Sequence, residues 1–151
     1  MTLPAVAAPL AAYVPAVRVG ELIYSSGQLP IVDGRLLATG KVGDAVDLDQ
    51  AAACARTAAL NALAAVAAEA GNLDAIAQVI KVLVFVASAP DFTDQPQVGN
   101  GASQLLHDVF GDAGRHARSA VGVAVLPLDA PVELELIVRA QAVPQVHPVA
   151  M

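Results

Sequence analysis

The sequence predicts an α+β fold in which two helices pack on one face of a mixed β-sheet. Its 151 residues are enough for one domain. An alanine-rich stretch that ends near Glu69 predicts a long helix, and the β-branched run Val79–Val86 predicts a strand. The predicted elements follow the order ββ-α-β-α-ββ without repeats, which is typical of helices layered on a sheet.

The N-terminal part predicts an arm followed by short strands. Residues 1–12 are rich in alanine and proline and predict a loosely held arm. Asp33-Gly34 predicts a hairpin turn, and Gly20-Glu21 predicts a bend. The strands predicted around these two features are Val17–Ser26, Gln28–Val32 and Arg35–Leu37.

The first helix has a predicted start and a predicted end. Asp47 offers a side-chain oxygen as N-cap, and Gln50 follows three residues later, which is the pattern of a capping box. Gly71 follows the alanine-rich stretch and predicts the end of the helix. Because the apolar face of this helix is mostly alanine, we expect it to lie close to the sheet.

The central strand is apolar on both faces. Alternation assigns Ile80, Val82, Val84 and Val86 to one face and Val79, Leu83 and Phe85 to the other. Two helices are enough to cover one face of a small sheet. We therefore expect the other face to pack against another subunit.

The remaining elements follow from shorter patterns. A turn of helix is predicted at Leu73–Ile76, and a second helix from Gly101 or Ala102 to Phe110. Two strands, a connecting turn and a C-terminal tail complete the chain, at Ser119–Val125, Val132–Val138, Leu126–Pro131 and 141–151.

Charge and composition argue against nucleic acid and membranes as partners. The net charge is −6, and of the eight basic residues only Arg115 and Arg118 lie close together. A nucleic-acid binder normally carries a basic patch. No apolar run approaches the roughly 20 residues of a membrane span. The first basic residue is Arg18, which argues against a signal peptide. The single cysteine, Cys54, fits a reducing compartment, so a cytoplasmic location is expected.

Two charged residues remain as candidates for chemistry. The histidines lack metal-ligand spacing, and no phosphate-binding loop is present. Arg118 opens an apolar strand, where either a strand-end salt bridge or a pocket would explain it. Glu133 and Glu135 share one face of the last strand, and a solvated face is the favoured explanation for Glu135.

Several segments together resemble the Rid family of reactive intermediate deaminases, also called YjgF-like. The matching segments, which span residues 13–139, are Tyr13, Gly20–Pro30, Asn61–Leu63, Val79–Val86, Ala117–Pro127 and Val132–Glu135. The combination is specific, whereas no single segment is. It delimits a Rid-like domain at 13–140, between the arm at 1–12 and the tail at 141–151.

The resemblance implies a chorismate-mutase-like (YjgF-like) α+β fold and a homotrimer with active sites in clefts between subunits. It also implies hydrolysis of enamines and imines, such as 2-aminoacrylate and 2-imino acids, to 2-keto acids and ammonia. The implied partners are a small carboxylate-bearing imine or enamine and further copies of the chain. No metal or organic cofactor is implied.

The resemblance also implies roles for individual residues. Arg118 matches the arginine that binds the substrate carboxylate, for which a planar guanidinium is suited. Glu133 matches the glutamate that positions or activates water. Tyr13 matches a tyrosine lining the cleft, and Ser103 is expected at the substrate. Ala120 matches a position where relatives often carry cysteine and where the backbone carbonyl is thought to act.

Two departures separate this chain from the family pattern. Gly122 stands where many deaminases carry a glutamate, and the segment Val98–Ser103 replaces a simpler asparagine-containing helix start. These departures keep a second hypothesis open, a regulatory trimer that binds small carboxylates without turnover. A ribonuclease or translation-inhibitor role is a third hypothesis, which the acidic composition disfavours.

Overall fold

The computed structural model of the chain describes residues 1–8 and 12–143. The strands are β1 (Ala16–Val19), β2 (Leu22–Ser25), β3 (Ile31–Val32), β4 (Arg35–Leu36), β5 (Ile76–Ala87), β6 (Ala117–Val123) and β7 (Val132–Ala140), and the long helices are α1 (Leu48–Ala70) and α2 (Gln95–Phe110). Short 3-10 turns lie at Leu73–Ala75, Gly111–Gly114 and Pro127–Asp129. In the arm, Leu3 packs against the core. The predicted tail at 141–151 lies outside the described residues from position 144 onwards.

The main sheet is mixed, with the strand order β1-β2-β7-β5-β6. β5 and β6 run parallel, and the other neighbours run antiparallel. Helix α1 packs against β1, β2 and β7, and α2 packs against β5 and β6. We call the side under the helices the covered face and the opposite side the open face. The predicted α+β fold, with two helices on one face of a mixed sheet, is confirmed.

Helix α1 begins and ends as predicted. The Asp47 carboxylate accepts a hydrogen bond from the Gln50 backbone, and the Gln50 side chain accepts one from the Asp47 backbone, which completes the capping box. Of the described residues, only α1 is long and apolar enough to cross a bilayer. About two thirds (67%) of the 18-residue stretch of α1 that meets this criterion is buried in the fold. These properties fit the core helix of a folded domain.

A register shift in β5 corrects the predicted pattern of its two faces. Val82 and Val84 are fully buried on the covered face, and Leu83 and Phe85 are half-buried on the open face, as alternation predicts. The pairing with β7 slips between Val79 and Lys81. This β-bulge puts Val79, which is fully buried, on the covered face. The assignment of Val79 to the open face was therefore wrong.

Several predicted boundaries differ from the observed ones, and two of the differences have a clear physical cause. Val17–Ser26 is not one strand, because Gly20 adopts a positive φ of 61° and turns the chain into the antiparallel pair β1–β2. Helix α2 begins at Gln95, six residues before the predicted start at Gly101. Pro96 is compatible with the first turn, where no intrahelical N–H bond is required. Gly99 and Gly101 both lie inside the helix.

Candidate functional site

Arg118 lies on the covered face of the edge strand β6 and contacts helix α2. It pairs in register with Val82, whose side chain is buried under the helices. Its Nη1 donates hydrogen bonds to Asn100 Oδ1 (2.9 Å) and Ser103 Oγ (3.1 Å), and its Nη2 donates to the Pro96 carbonyl (3.2 Å). The first half of α2 therefore holds the guanidinium from one side.

Two glycines of α2 permit this close approach. A Cβ at Gly99 would lie 3.2 Å from Arg118 Nη1 and 3.5 Å from the Ala120 Cβ. A Cβ at Gly101 would overlap the backbone carbonyl of Ala52 on α1. The segment Val98–Ser103, which departs from the family pattern, thus seats α2 between α1 and β6 and supplies two of the oxygens on Arg118.

The positive charge of Arg118 is hydrogen-bonded but not neutralised. All three of its partners are neutral oxygens. Within residues 1–8 and 12–143, the ion pair that the structure holds joins Arg115 to Asp112, not Arg118 to a carboxylate. Among the described residues, Arg118 therefore does not form the strand-end salt bridge that was one explanation for it. A guanidinium has five N–H groups, so three bonds leave two N–H groups for a ligand, which is the number that a carboxylate accepts.

Ser103 connects Arg118 to a residue that the sequence did not single out. Ser103 Oγ lies 2.9 Å from His116 Nε2, and His116 Nδ1 lies 2.6 Å from the Gly114 carbonyl. His116 lies in the loop directly before β6. No spacing pattern links it to Ser103, because the fold alone brings the end of the α2–β6 connection against α2. We call Arg118, Ser103, Asn100 and Ala120 the arginine cluster.

Glu133 lies on the open face of β7, where it pairs with Phe85. A Cβ at Gly27 would overlap its carboxylate, so the glycine makes room for this side chain. Partial burial raises the pKa of Glu133 above the usual glutamate range, and repulsion from Glu135 raises it further. A carboxylate with a raised pKa is a better proton acceptor, which suits the role that the resemblance implies.

Tyr13 lies in the same cavity wall as Gly27, the residue beside the Glu133 carboxylate. Tyr13 and Gly27 both line a cavity of about 790 Å³, whose walls include the N-terminal arm and Asn61 of α1. Gly27 in turn contacts the Glu133 carboxylate. We call Glu133, Gly27 and Tyr13 the glutamate cluster.

Within one chain, the two clusters do not meet. Arg118 lies on the covered face in the row of Val82, and Glu133 lies on the open face in the row of Phe85. Three residues along a strand correspond to about 10 Å. The structure thus brings Ser103 and Ala120 to Arg118 and brings Tyr13 to the side of Glu133. The roles assigned to all five residues stay predictions.

Gly122 and Cys54 occupy positions with clear physical limits. A Cβ at Gly122 would lie 2.9 Å from Gln95 Nε2 and 3.2 Å from Ser88 Oγ, so these side chains fill the space where many deaminases carry a glutamate. Cys54 is buried in α1, and burial raises the pKa of its thiol to about 11, which makes it unreactive. Among the described residues, no group of three His, Cys, Asp or Glu side chains could hold a metal ion.

Comparison with known proteins identifies relatives over nearly the whole chain. Residues 1–139 match the family described as "YjgF/chorismate_mutase-like, putative endoribonuclease". Protein TCP17 of Trypanosoma cruzi is 46% identical over 138 residues, which cover 91% of this chain and 86% of that protein. A 2-iminobutanoate/2-iminopropanoate deaminase of Dermatophagoides farinae is 33% identical over 131 residues, which cover 86% of this chain and 87% of that enzyme.

A solved structure agrees with both sequence and fold. The crystal structure of Atu1372, a protein of unknown function from Agrobacterium tumefaciens, superposes with a TM-score of 0.87 at 48% identity. The match covers 93% of this chain and 87% of that one. By its sequence and its fold, the chain belongs to the YjgF/chorismate mutase-like family, as the resemblance to the Rid proteins predicted.

Proposed function

We propose that this protein hydrolyses imines and enamines of 2-amino acids to 2-keto acids and ammonia. The observation that carries the proposal is the state of Arg118: its guanidinium is half-buried, held by neutral oxygens alone and left with two N–H donors. Such a group is a site for a planar anion, and the carboxylate of a 2-imino acid fits it. The relative from Dermatophagoides farinae, named for deamination of 2-imino acids, supports this substrate class.

The reaction itself requires only a few contributions from the protein. A protonated imine next to a carboxylate is already electrophilic, so water adds to its carbon, the carbon–nitrogen bond breaks and ammonia leaves. Holding the carboxylate and aiming one water are the main tasks, and orientation of this kind lowers a barrier by up to roughly 7–11 kcal/mol in ideal cases. In this proposal Arg118 holds the carboxylate, and Glu133 takes the proton of the attacking water and delivers it to the nitrogen, which then leaves as ammonia.

The two roles require two copies of the chain, because Arg118 and Glu133 lie on opposite faces of one sheet. The open face carries an apolar strip that runs across the sheet, formed by Val17, Tyr24, Leu83, Phe85, Val121 and Ile137. Burial of such a strip is a driving force for association. We propose a homotrimer in which the arginine cluster of one copy faces the glutamate cluster of a neighbour.

A direct assay tests the proposed reaction. 2-Imino acids are generated in situ from alanine and from leucine by an amino-acid oxidase with catalase present, and semicarbazide traps the surviving imine. We expect the protein to lower semicarbazone formation and to raise the rate of ammonia release, and we expect Arg118→Ala to do neither. Equal semicarbazone formation with and without the wild-type protein would reject the proposal.

A carboxylate-binding protein without turnover is the second candidate, and Gly122 favours it. Gln95 and Ser88 leave no space there for the glutamate that many deaminases carry. Binding of a 2-keto acid that depends on Arg118, without acceleration of imine hydrolysis, would favour this candidate. Ribonuclease activity has no comparable support in the structure, because the net charge is −6 and the basic residues are scattered.

A further inference from the structure

We propose that His116 is a positioning residue that holds Arg118 in place through the hydroxyl group of Ser103. The inference rests on the proposed function, because it assigns His116 and Ser103 a task in the same carboxylate site. It goes beyond that function in naming a residue that bonds Ser103 and the Gly114 carbonyl and makes no hydrogen bond to Arg118 itself. The observation is a continuous line of hydrogen bonds from Arg118 to the backbone of the segment before β6.

The directions of these bonds follow from their chemistry. The Gly114 carbonyl can only accept, so His116 Nδ1 carries a proton and donates to it at 2.6 Å. In a neutral imidazole, Nε2 is then an acceptor, and the Ser103 hydroxyl donates to it at 2.9 Å. A lone pair of Ser103 Oγ is thereby directed at Arg118 Nη1, which donates at 3.1 Å.

This arrangement fixes the direction in which the Ser103 hydroxyl group donates its hydrogen bond. A serine inside a helix can rotate its hydroxyl and donate to the carbonyl of the preceding turn. With His116 Nε2 as a fixed acceptor, the hydroxyl proton is committed, and the oxygen remains available to Arg118. Bonds in such a chain polarise one another, so each one strengthens its neighbours. His116 thus specifies the partner of one edge of the guanidinium and leaves the other edge for the ligand.

A negatively charged group at position 116 would hold Arg118 more strongly than a neutral imidazole but would be unsuitable for a carboxylate site. A carboxylate in its place would neutralise the guanidinium and compete with the carboxylate of a substrate. Neutral imidazole and hydroxyl groups fix the geometry of Arg118 without cancelling its charge. The three oxygens on Arg118 share this property, since each belongs to a neutral group.

The first test is spectroscopic and does not depend on activity. In the full-length protein labelled with ¹⁵N, long-range proton–nitrogen correlation spectra report which imidazole nitrogen carries the proton. We expect His116 to be the Nδ1–H tautomer, and we expect Ser103→Ala to shift the Nε2 resonance. His107, which is exposed on α2, the helix that carries Ser103, serves as the control. An Nε2–H tautomer at His116 would overturn the inference.

The second test is a double-mutant cycle on carboxylate affinity. The probe is pyruvate, whose dissociation constant is measured by calorimetry, alongside KM and kcat for the imine made from alanine. We expect His116→Ala to weaken affinity and raise KM about 5-fold, as for one hydrogen bond, with kcat nearly unchanged. If His116 acts through Ser103, the double variant His116→Ala/Ser103→Ala is no weaker than Ser103→Ala alone.

Matched variants separate positioning from stability. His116→Gln places an amide oxygen near the position of Nε2 and is expected to restore most of the affinity, whereas His116→Asn reaches only the position of Nδ1. His107→Ala is expected to change nothing. If the affinity losses of the two single variants multiply in the double variant, or if a folded His116→Ala variant keeps its affinity, the role of His116 is overturned but the proposed function is not. Unchanged affinity in Arg118→Ala would instead overturn the proposed function.

Discussion

At the scale of single residues, the proposed chemistry depends on a cation that is held but not neutralised. Arg118 is fixed by Asn100, Ser103 and the Pro96 carbonyl, all of which are uncharged. An arginine whose partners were carboxylates would have little affinity left for an anion. The state of Arg118 is therefore what distinguishes a binding site from a structural ion pair.

Removing the Arg118 side chain tests that distinction. Arg118→Ala would leave a bound carboxylate unpaired, which costs roughly 2–5 kcal/mol, or about 30- to several-thousand-fold in kcat/KM. Arg118→Lys is also expected to be impaired, because an ammonium group cannot form the two-pronged contact. An exposed strand-end salt bridge would contribute only about 0–1 kcal/mol of stability. Turnover and melting temperature, measured on the same samples, decide between the two, and unchanged turnover in Arg118→Ala would contradict the site.

The raised pKa of Glu133 gives a prediction about pH. As a general base Glu133 must be ionised, so kcat/KM is expected to fall as the pH drops through its pKa, which lies above the usual glutamate range. Glu133→Gln is expected to lower turnover and to remove this acidic limb. Because the folded state binds this proton more readily than the unfolded state, stability should rise, not fall, over the same acidic window. An acidic limb that persists in Glu133→Gln would assign it to another group.

At the scale of elements, helix α2 is the part that positions the site. Its capping residue Asp94 makes no side-chain bond to the helix. Its place is set instead by close packing, with Gly101 against the Ala52 carbonyl of α1 and Gly99 against Arg118. In the proposed function, the same short segment therefore serves stability through Gly101 and ligand binding through Gly99.

Alanine substitutions at the two glycines are expected to separate these effects. Gly101→Ala forces α2 away from the α1 backbone and is expected to lower the free energy of unfolding by about 1–3 kcal/mol. Gly99→Ala meets the movable end of Arg118, so we expect near-native stability, aided by the higher helix propensity of alanine, with weakened carboxylate binding. Thermal melts and pyruvate titrations measure the two properties. A similar loss of stability in both variants would contradict the assignment.

The elements also show what the sequence could and could not predict. Helix α1 was predicted from Asp47 to Gly71 because its capping box and final glycine are local signals. The start of α2 was not, because glycine and proline have low helix propensity, whereas tertiary packing at Gly99 and Gly101 sets the helix in place. The bulge that turns Val79 to the covered face leaves no local signal either. Arg118 and Glu133 were singled out from the sequence, but the bond from His116 to Ser103 exists only in the folded chain.

At the scale of the whole molecule, the open face of the sheet is the main unexplained surface. Its apolar strip lies beside Glu133, and the edge strand β6 carries Arg118 at the border of the sheet. Stacking of such faces would bury the strip and bring the edge strand of one copy to the open face of another. The sequence indicated this by the two apolar faces of β5, but it could not indicate which clusters would meet.

Mass measurement in solution tests the assembly. We expect the mass of a trimer at micromolar concentration, because burial of the apolar strip favours association. Phe85→Glu places a charge on that strip away from the core and is expected to dissociate the trimer and to abolish turnover while leaving the helices folded. A stable wild-type monomer at this concentration would contradict the shared cleft.

The central claim, that a site combines Arg118 of one copy with Glu133 of another, is tested most directly by mixing two variants of low activity. Arg118→Ala and Glu133→Gln are unfolded together and refolded, so that mixed trimers form. If each site draws on two neighbouring copies, an equal mixture contains about a quarter of intact sites and recovers about a quarter of wild-type turnover. Each variant refolded alone keeps its own low turnover. No recovery in mixtures shown by mass to contain both variants would contradict the account.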